Sequence, residues 1–246
     1  VKVSIITVCY NSAKTLEETI LSVLGQTYTD IEYIIIDGNS RDGTSAIISK
    51  HRSQIAQVVS EPDKGIYDAM NKGLALANGD VVGILNSDDI YAHPRVIADV
   101  VQVFSNSSND AVSTDVHIFS GNPANIVRKY RCTRWKPWMF RIGHQPPHPG
   151  FFVRKNCYTR YGFFDTHFRT AADFELLFRF IRVNKVSTQF LPYTSVLMRS
   201  GGASQQSFSA ISNANREVHA ALKKHGYFSL LPMIWLKYLI KIFQWV

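Results

Sequence analysis

VKVSIITVCYNSAKTLEETILSVLGQTYTDIEYIIIDGNS, residues 1–40, reads as a strand, a helix and another strand. Residues 2–9 are rich in β-branched side chains, and Tyr10-Asn11-Ser12 supplies a turn and helix cap. Apolar Leu16, Ile20, Val23 and Leu24 then recur at helical spacing. Residues 32–36 form a short buried run that ends on the turn-rich Asp37-Gly38-Asn39-Ser40. Working outward, residues 43–51 read as a helix, 57–60 as a strand, 67–77 as a helix closed by Asn78-Gly79, and 80–85 as an apolar strand. This rhythm predicts an α/β fold: a mostly parallel, Rossmann-like sheet with helices on both faces.

Ligands of such sheets bind beyond the carboxyl ends of the strands. Polar residues gather at those places: Tyr10-Asn11 after the first strand, Asp37 after the second, Glu61-Pro62-Asp63 after the third, and Asn86-Ser87-Asp88-Asp89 after the fourth. One such cluster has little weight, but four in succession point to a shared site. The last is chemically the richest, because carboxylates in a turn can hold Mg2+ or Mn2+ while a diphosphate supplies further oxygens. The competing reading is that Asp88 or Asp89 caps the helix containing Val96 and Ile97.

After Phe104 the rhythm breaks. A polar loop leads to a strand at 111–119, a basic segment, a strand at 151–154, a helix at 173–183 and an amphipathic helix at 208–224. One domain is expected over 1–225 in two unequal halves, 1–105 and 106–225, followed by a C-terminal helix at 226–246. Apolar residues at 46% and charged residues at 19% fit a globular chain. Cys9, Cys132 and Cys157 are odd in number and lack CxxC spacing, which excludes a disulfide framework and a structural zinc site. With no secretory signal at the start of the sequence, a reducing, cytoplasmic setting is expected.

The net charge of +8 is concentrated in one segment. Residues 116–164 contain nine Lys or Arg and no Asp or Glu, whereas the remainder is close to neutral. That segment calls for an anionic partner or surface. Nucleic acid is not expected, since no nucleic-acid-binding motif accompanies the charge.

The motifs VSIITVCYNSAKTLEETILSVLGQTY, IIIDGNSRDGT and EPDKGIYDAMNKGLALANGDVVGILNSDD, in that order, resemble the inverting family 2 glycosyltransferases of the GT-A fold. The resemblance is dense over residues 3–90 and looser to about residue 220. It implies a nucleotide pocket lined by Thr7, Tyr10, Asn11, Asp37, Asp63, Gly65, Asn86 and Ser87, with a metal at Asp88, joined by Asp89 as a further ligand. It also implies bacterial cell-surface polysaccharide or lipopolysaccharide synthesis, with UDP-sugars as the donor class and a hexosyltransferase activity. Two departures stand out. Gly38 occupies a position commonly filled by a second Asp, and Asn86 replaces the first acid of the DxD motif.

An acceptor hydroxyl needs a base to take its proton as it attacks the anomeric carbon. By resemblance that base is Asp173 in TAADFELLFRF, with Glu175 in reserve; the alternative is that Asp173 is an N-cap. His148 in GHQPPHPGFF, Arg199, Gly201 and Gly202 are expected near the acceptor or phosphates, the glycines as a lid or a plain loop. Two rivals are weighed: a sugar nucleotidyltransferase, whose first-strand loop needs glycine that TVCYNS lacks, and a non-catalytic membrane-associated sugar-nucleotide-binding protein.

The last stretch, GYFSLLPMIWLKYLIKIFQWV, is mostly apolar. From residue 232 onward it would span roughly 22 Å as a helix, short of the roughly 30 Å hydrocarbon core of a bilayer. Lys237 and Lys241 stand four apart among apolar residues, with Trp235 and Trp245 nearby, the pattern of a helix lying on a membrane surface. Packing on the core or on a partner subunit is the alternative. A peripheral position on the cytoplasmic face of the plasma membrane, with a glycan or lipid-linked acceptor, is expected.

Overall fold

A computed structural model describes residues 1–201, 208–242 and 244. Nine strands are assigned among the described residues: β1 (Val3–Cys9), β2 (Ile31–Asp37), β3 (Gln57–Ser60), β4 (Val81–Ile84), β5 (Ile90–Tyr91), β6 (Ala111–Phe119), β7 (Ile126–Tyr130), β8 (Phe151–Arg154) and β9 (Thr188–Arg199). They form one sheet in the order β3-β2-β1-β4-β8-β6-β9-β5, with β7 paired to β6. The helices are α1 (Leu16–Leu24), α2 (Thr44–Lys50), α3 (Ile66–Leu76), α4 (Val96–Asn106), α5 (Lys155–Tyr161), α6 (Ala172–Leu177), α7 (Phe208–Lys224), α8 (Leu231–Trp235) and α9 (Lys237–Ile242).

The first four strands in sequence are parallel neighbours, as the βαβ rhythm predicts. Strands buried on both faces read as continuous apolar runs, and β1 and β2 show how the two sides divide. Ile6, Val8, Ile34 and Ile36 join one core with Met70 and Leu74 of α3. Val3, Ile5, Tyr33 and Ile35 join the opposite core with Leu16 and Ile20 of α1 and Val100 of α4. Beyond β4 the sheet becomes mixed: β8 runs antiparallel to β4 and β6, while β6 and β9 are parallel. The two halves expected from sequence thus share a continuous sheet, and β5, from the first half, pairs with β9 of the other.

Two elements differ from expectation. The helix expected over 173–183 is α6 followed by a π-helical turn, Phe178–Val183. The C-terminal stretch is two short helices, α8 and α9, instead of one continuous helix. Its anchor is Ile234, fully buried where the chain turns at Gly143. Gly143 has a φ of +69°, and a Cβ there would lie 2.8 Å from Ile234 Cγ2, so the seat requires glycine. Lys237 is only 8% exposed and lies over the Tyr238 ring, not on an open polar face. Phe243 and Trp245 lie outside the described residues, as do Gly202 and the side chain of Lys241.

Candidate functional site

The four parallel strands deliver their polar ends to one edge, where short bonds tie them together. Gly38 N donates to Cys9 O, and Glu61 N donates to Asp37 O. Asn11, in a left-handed conformation with φ of 48°, donates its N–H to Ser40 Oγ at 2.8 Å and accepts from Arg41 N at 2.9 Å. Ser12 Oγ and Ser87 Oγ share a hydrogen bond of 2.9 Å, which joins the β1 end to the β4 end. Tyr10 stands clear of these contacts, 64% exposed beside the cleft they form.

The expected pocket residues divide into two sets. Tyr10, Asn11, Asp63, Gly65, Asn86, Ser87 and Asp88 retain exposed surface at the strand ends. Thr7 does not reach that surface: it is fully buried and accepts a hydrogen bond from Tyr33 O–H at 3.1 Å. Pleat alternation explains this, because Thr7 points to the same side of β1 as Val3 and Ile5. Asp37 is also buried, its Oδ2 accepting from Ser60 Oγ at 2.6 Å and its carboxylate accepting from Ser40 N. Asp37 therefore braces the β2 and β3 ends more than it faces the opening.

Gly38 acquires a definite meaning here. A Cβ at this position would collide with Asp63 Oδ2 and come within 3.3 Å of Tyr10 Cδ2. The carboxylate of Asp63 occupies the space that a side chain at position 38 would fill. Asp63 Oδ1 accepts from Gly65 N at 2.8 Å, and Gly65, at φ of +119°, starts α3.

At the β4 end the two acids differ sharply. Asp89 is 1% exposed and accepts from Asn86 Nδ2 at 3.2 Å and Arg199 N at 3.3 Å. Burial, then the neighbouring Asp88 charge, push its carboxyl well above the usual range. Asp89 is thus enclosed and is not placed to join Asp88 as a ligand. Asp88 is half-buried, and burial raises its carboxyl while Arg199 opposes the shift. Asn86 carries a buried Oδ1 with no hydrogen-bond partner. Among the described residues no group of three or more His, Cys, Asp or Glu is gathered around a point. One carboxylate and one unpartnered amide oxygen fit a hard divalent cation only if a bound diphosphate completes its shell.

Asp173 sits in the first turn of α6, half-buried, and is held from three sides. Its Oδ1 accepts from Tyr67 O–H at 3.1 Å and Phe174 N at 2.8 Å, and its Oδ2 accepts from Gln145 Nε2 at 2.7 Å. Tyr67 lies two residues beyond Gly65, so α3 links the Asp63–Gly65 turn directly to this carboxylate. Burial, then the Asp173 charge, push the Tyr67 hydroxyl well up, which keeps it a proton donor. Gln145 Oε1 is buried and unpartnered. Its backbone is fixed by Tyr130, whose hydroxyl bonds Gln145 O while its ring stacks on His144.

Glu175 takes no part in this arrangement. It has no exposed surface and accepts from Arg179 Nε at 3.0 Å and from the His225 ring at 2.7 Å. Burial alone would raise its carboxyl, but the His225 and Arg179 bonds and the Arg179 charge hold it below the ordinary range. His148 is 9% exposed and packs edge-on against Phe164, with burial lowering the imidazole and the Asp173 charge opposing. Arg199 bonds Glu18 at 2.6 Å and lies over Phe119. Gly201 has a φ of +99°, and among the described residues no atom lies within 4 Å of where a Cβ would stand. Sequence reasoning missed Gln145 and Tyr67. Gln145 belongs to a loop whose histidines are its conspicuous feature, and Tyr67 has the spacing of a core position in an amphipathic helix.

The model of glycosyl transferase family 2 matches residues 4–168. A Mycobacterium tuberculosis protein named as an uncharacterized glycosyltransferase, Rv1514c, is 35% identical over 182 residues, covering 72% of this chain and 68% of that protein. The Escherichia coli UDP-Glc:alpha-D-GlcNAc-diphosphoundecaprenol beta-1,3-glucosyltransferase WfaP is 35% identical over 130 residues, 49% of this chain and 52% of its own. Among solved structures, the mannosyltransferase PcManGT from Pyrobaculum calidifontis, in complex with GDP-Man and Mn2+, matches with a TM-score of 0.67 at 18% identity. That match covers 91% of this chain and 64% of the other, and it is a likeness of fold, the GT-A type.

Proposed function

The chain belongs to glycosyl transferase family 2, and we propose that it moves a sugar from a UDP-sugar to a hydroxyl of a glycan or lipid-linked acceptor, with inversion, at the cytoplasmic face of a membrane. The observation that carries this reading is Asp173: a partly exposed carboxylate, aimed by Tyr67 and Gln145 and tied through α3 to the strand-end cleft. The WfaP relative, whose name gives UDP-Glc as donor and a diphosphoundecaprenol-linked acceptor, supports the donor and acceptor classes. Residues 1–105 form the donor half and residues 106–225 supply the acceptor side.

The chemistry is a single displacement. Asp173 takes the proton of the acceptor hydroxyl as its oxygen bonds the anomeric carbon, while the bond from that carbon to the diphosphate oxygen breaks. The electron pair leaves with the diphosphate, and attack opposite the leaving group inverts the centre. Asp88, with Asn86 Oδ1, would hold Mn2+ or Mg2+, which neutralises charge on the diphosphate. Asp63, Gly65 and Tyr10 line the nucleoside side, and Arg199 contributes positive charge near Asp88.

The test is UDP release from a panel of UDP-sugars with a lipid-linked acceptor extract, with and without Mn2+. Asp173→Asn is expected to abolish transfer and leave UDP binding intact. Normal turnover of that variant would remove Asp173 as the base. UDP binding without release from any donor and acceptor extract would favour a binding protein over a transferase.

A further inference from the structure

The C-terminal segment is docked on one side and exposes large apolar side chains on the other. Its inner side is fixed to the body: Ile234 is fully buried, Tyr238 O–H reaches Asn215 Oδ1 at 3.3 Å, and Gln244 O accepts from Lys129 N at 2.8 Å. Its outer side leaves Phe228, Leu230, Leu231, Trp235, Leu236 and Leu239 between 38% and 66% exposed. Six large apolar side chains within twelve residues exceed the scattered exposure that a soluble surface ordinarily carries. Ile234 fills the seat at Gly143, while these six side chains each keep more than a third of their surface exposed.

The border of this patch is cationic and aromatic. Arg141 and Arg182 both lie over the ring of Tyr227, at 5.3 and 5.4 Å, immediately before Phe228. Ser229 Oγ donates to Arg141 O at 2.7 Å, which fixes the start of the patch to the 3-10 helix Pro137–Ile142. Residues three apart on such a helix eclipse one another, so Trp138, 57% exposed, sits above Arg141 on the same face. No Asp or Glu occurs in residues 226–246 or in residues 116–164. An apolar centre, arginines and a tryptophan at the rim, and no Asp or Glu in residues 226–246, 116–164 or 176–199, the three segments that supply them, match the chemistry of an anionic bilayer surface.

Resting on the membrane-side reading of the reaction, we propose that this face, the outer side of residues 228–239 with Trp138, Arg141 and Arg182, seats the protein on an anionic phospholipid bilayer. The binding element differs from the one expected from sequence. It is a bent, body-anchored surface in which Lys237 is enclosed and Arg141 and Arg182 join the rim from elsewhere in the chain. The placement also sets the working distance of the site. Trp138 stands seven positions before Gln145, the partner of Asp173, so their Cα atoms lie within at most about 25 Å of each other. A hydroxyl on a lipid-borne acceptor then meets the base without leaving the vicinity of the bilayer.

The test is sedimentation of the full chain with vesicles of phosphatidylcholine containing phosphatidylglycerol, against phosphatidylcholine alone. Two double variants accompany it: Leu236→Asp with Leu239→Asp, and Arg141→Glu with Arg182→Glu. Wild type is expected to bind anionic vesicles, less at high salt, and each arginine contributes about fivefold in partitioning. Both double variants are expected to lose tenfold or more while keeping their circular dichroism and UDP binding. Absence of wild-type binding to anionic vesicles would overturn the proposal. So would full binding by the variants, or a dimer in light scattering that disappears in Leu236→Asp with Leu239→Asp, which would assign the patch to another copy of the chain. Vesicle binding needs no turnover, so a failure of the transferase reading leaves a distinct signature: bound protein that releases no UDP.

Discussion

Glu175 and Asp173 stand two residues apart in one helix, and the structure predicts opposite consequences for removing their charges. Glu175 has no exposed surface and balances Arg179, itself only 13% exposed, with His225 as a further partner. Breaking a buried pair by removing one member costs about 3–5 kcal/mol. The lower end applies to Glu175→Gln, because Arg179 also donates to the carbonyls of Tyr161, Gly162 and Phe163 and keeps those bonds. An unfolding entropy of about 2 cal/mol/K per residue gives a chain of this length about 0.5 kcal/mol/K, so the melting temperature should fall by about 6 °C. The sign of the pH dependence follows from the depressed Glu175 carboxyl. Its stabilisation is present above the ordinary glutamate range and disappears as pH falls through the lowered native value. The gap between wild type and Glu175→Gln should therefore be full at pH 7 and close in acid.

Asp173→Asn should leave stability almost unchanged. The new amide would face Gln145 Nε2, but Gln145 Oε1 has no partner, so a flip of that side chain restores an N–H···O bond. Tyr67 can still donate to the remaining oxygen. Differential scanning calorimetry from pH 7 down to about pH 2, read beside UDP release at neutral pH and about 15 °C below each melting temperature, separates the two cases. The reasoning is refuted if Glu175→Gln melts with wild type and loses all transfer, since that would put Glu175 in the chemistry and Asp173 in a cap.

Two further outcomes follow from the same geometry. Gln145→Leu removes one of the bonds that aim Asp173, and turnover should fall by about 10- to 100-fold with the KM for the UDP-sugar unchanged; an equal loss of UDP affinity would show that the loop serves the donor instead. Gly38→Asp restores the acid pair usual at this position, yet UDP affinity measured by calorimetry should fall, because the new side chain displaces Asp63.

The cleft at the parallel strand ends was legible because it is local. Each parallel strand, its buried run and the polar turn at its end are contiguous in sequence, so reading β1 to β4 already gathers Tyr10, Asn11, Asp63 and Asp88 at one edge. What sequence order cannot supply is the direction in which each side chain points. Thr7 stands next to the pocket in the chain but faces the core with Tyr33, and Asp89 stands next to Asp88 but is enclosed by Asn86 and Arg199. The surroundings of Asp173 were less legible because its contacts are distant in sequence. Tyr67 and Asp173 are 106 positions apart, and Gln145 and Asp173 are 28 apart. The short strand β7 was missed for a related reason: its Ile126-Val127 start is cut short by Arg128 and Lys129, and among the described residues its strand partner is β6.

Gly38 shows how a departure from a family pattern is read once neighbours are known. From sequence, loss of the second acid suggests that recognition rests on Asp37 alone. Asp37, however, is spent on Ser40 and Ser60, which lock the ends of β2 and β3 together. The missing side chain at position 38 instead admits Asp63 from the next strand end, beside the exposed Tyr10 ring. A carboxylate is retained at the cleft, although it comes from a different strand. The same logic applies at Asn86, where loss of an acid leaves an uncharged oxygen without a partner next to a turn that keeps Asp88. In both places one charge remains where the pattern has two, so charge brought by the substrate must do more of the neutralising. That is why the diphosphate, and not a preformed acidic cage, is the group that would complete a metal's coordination here.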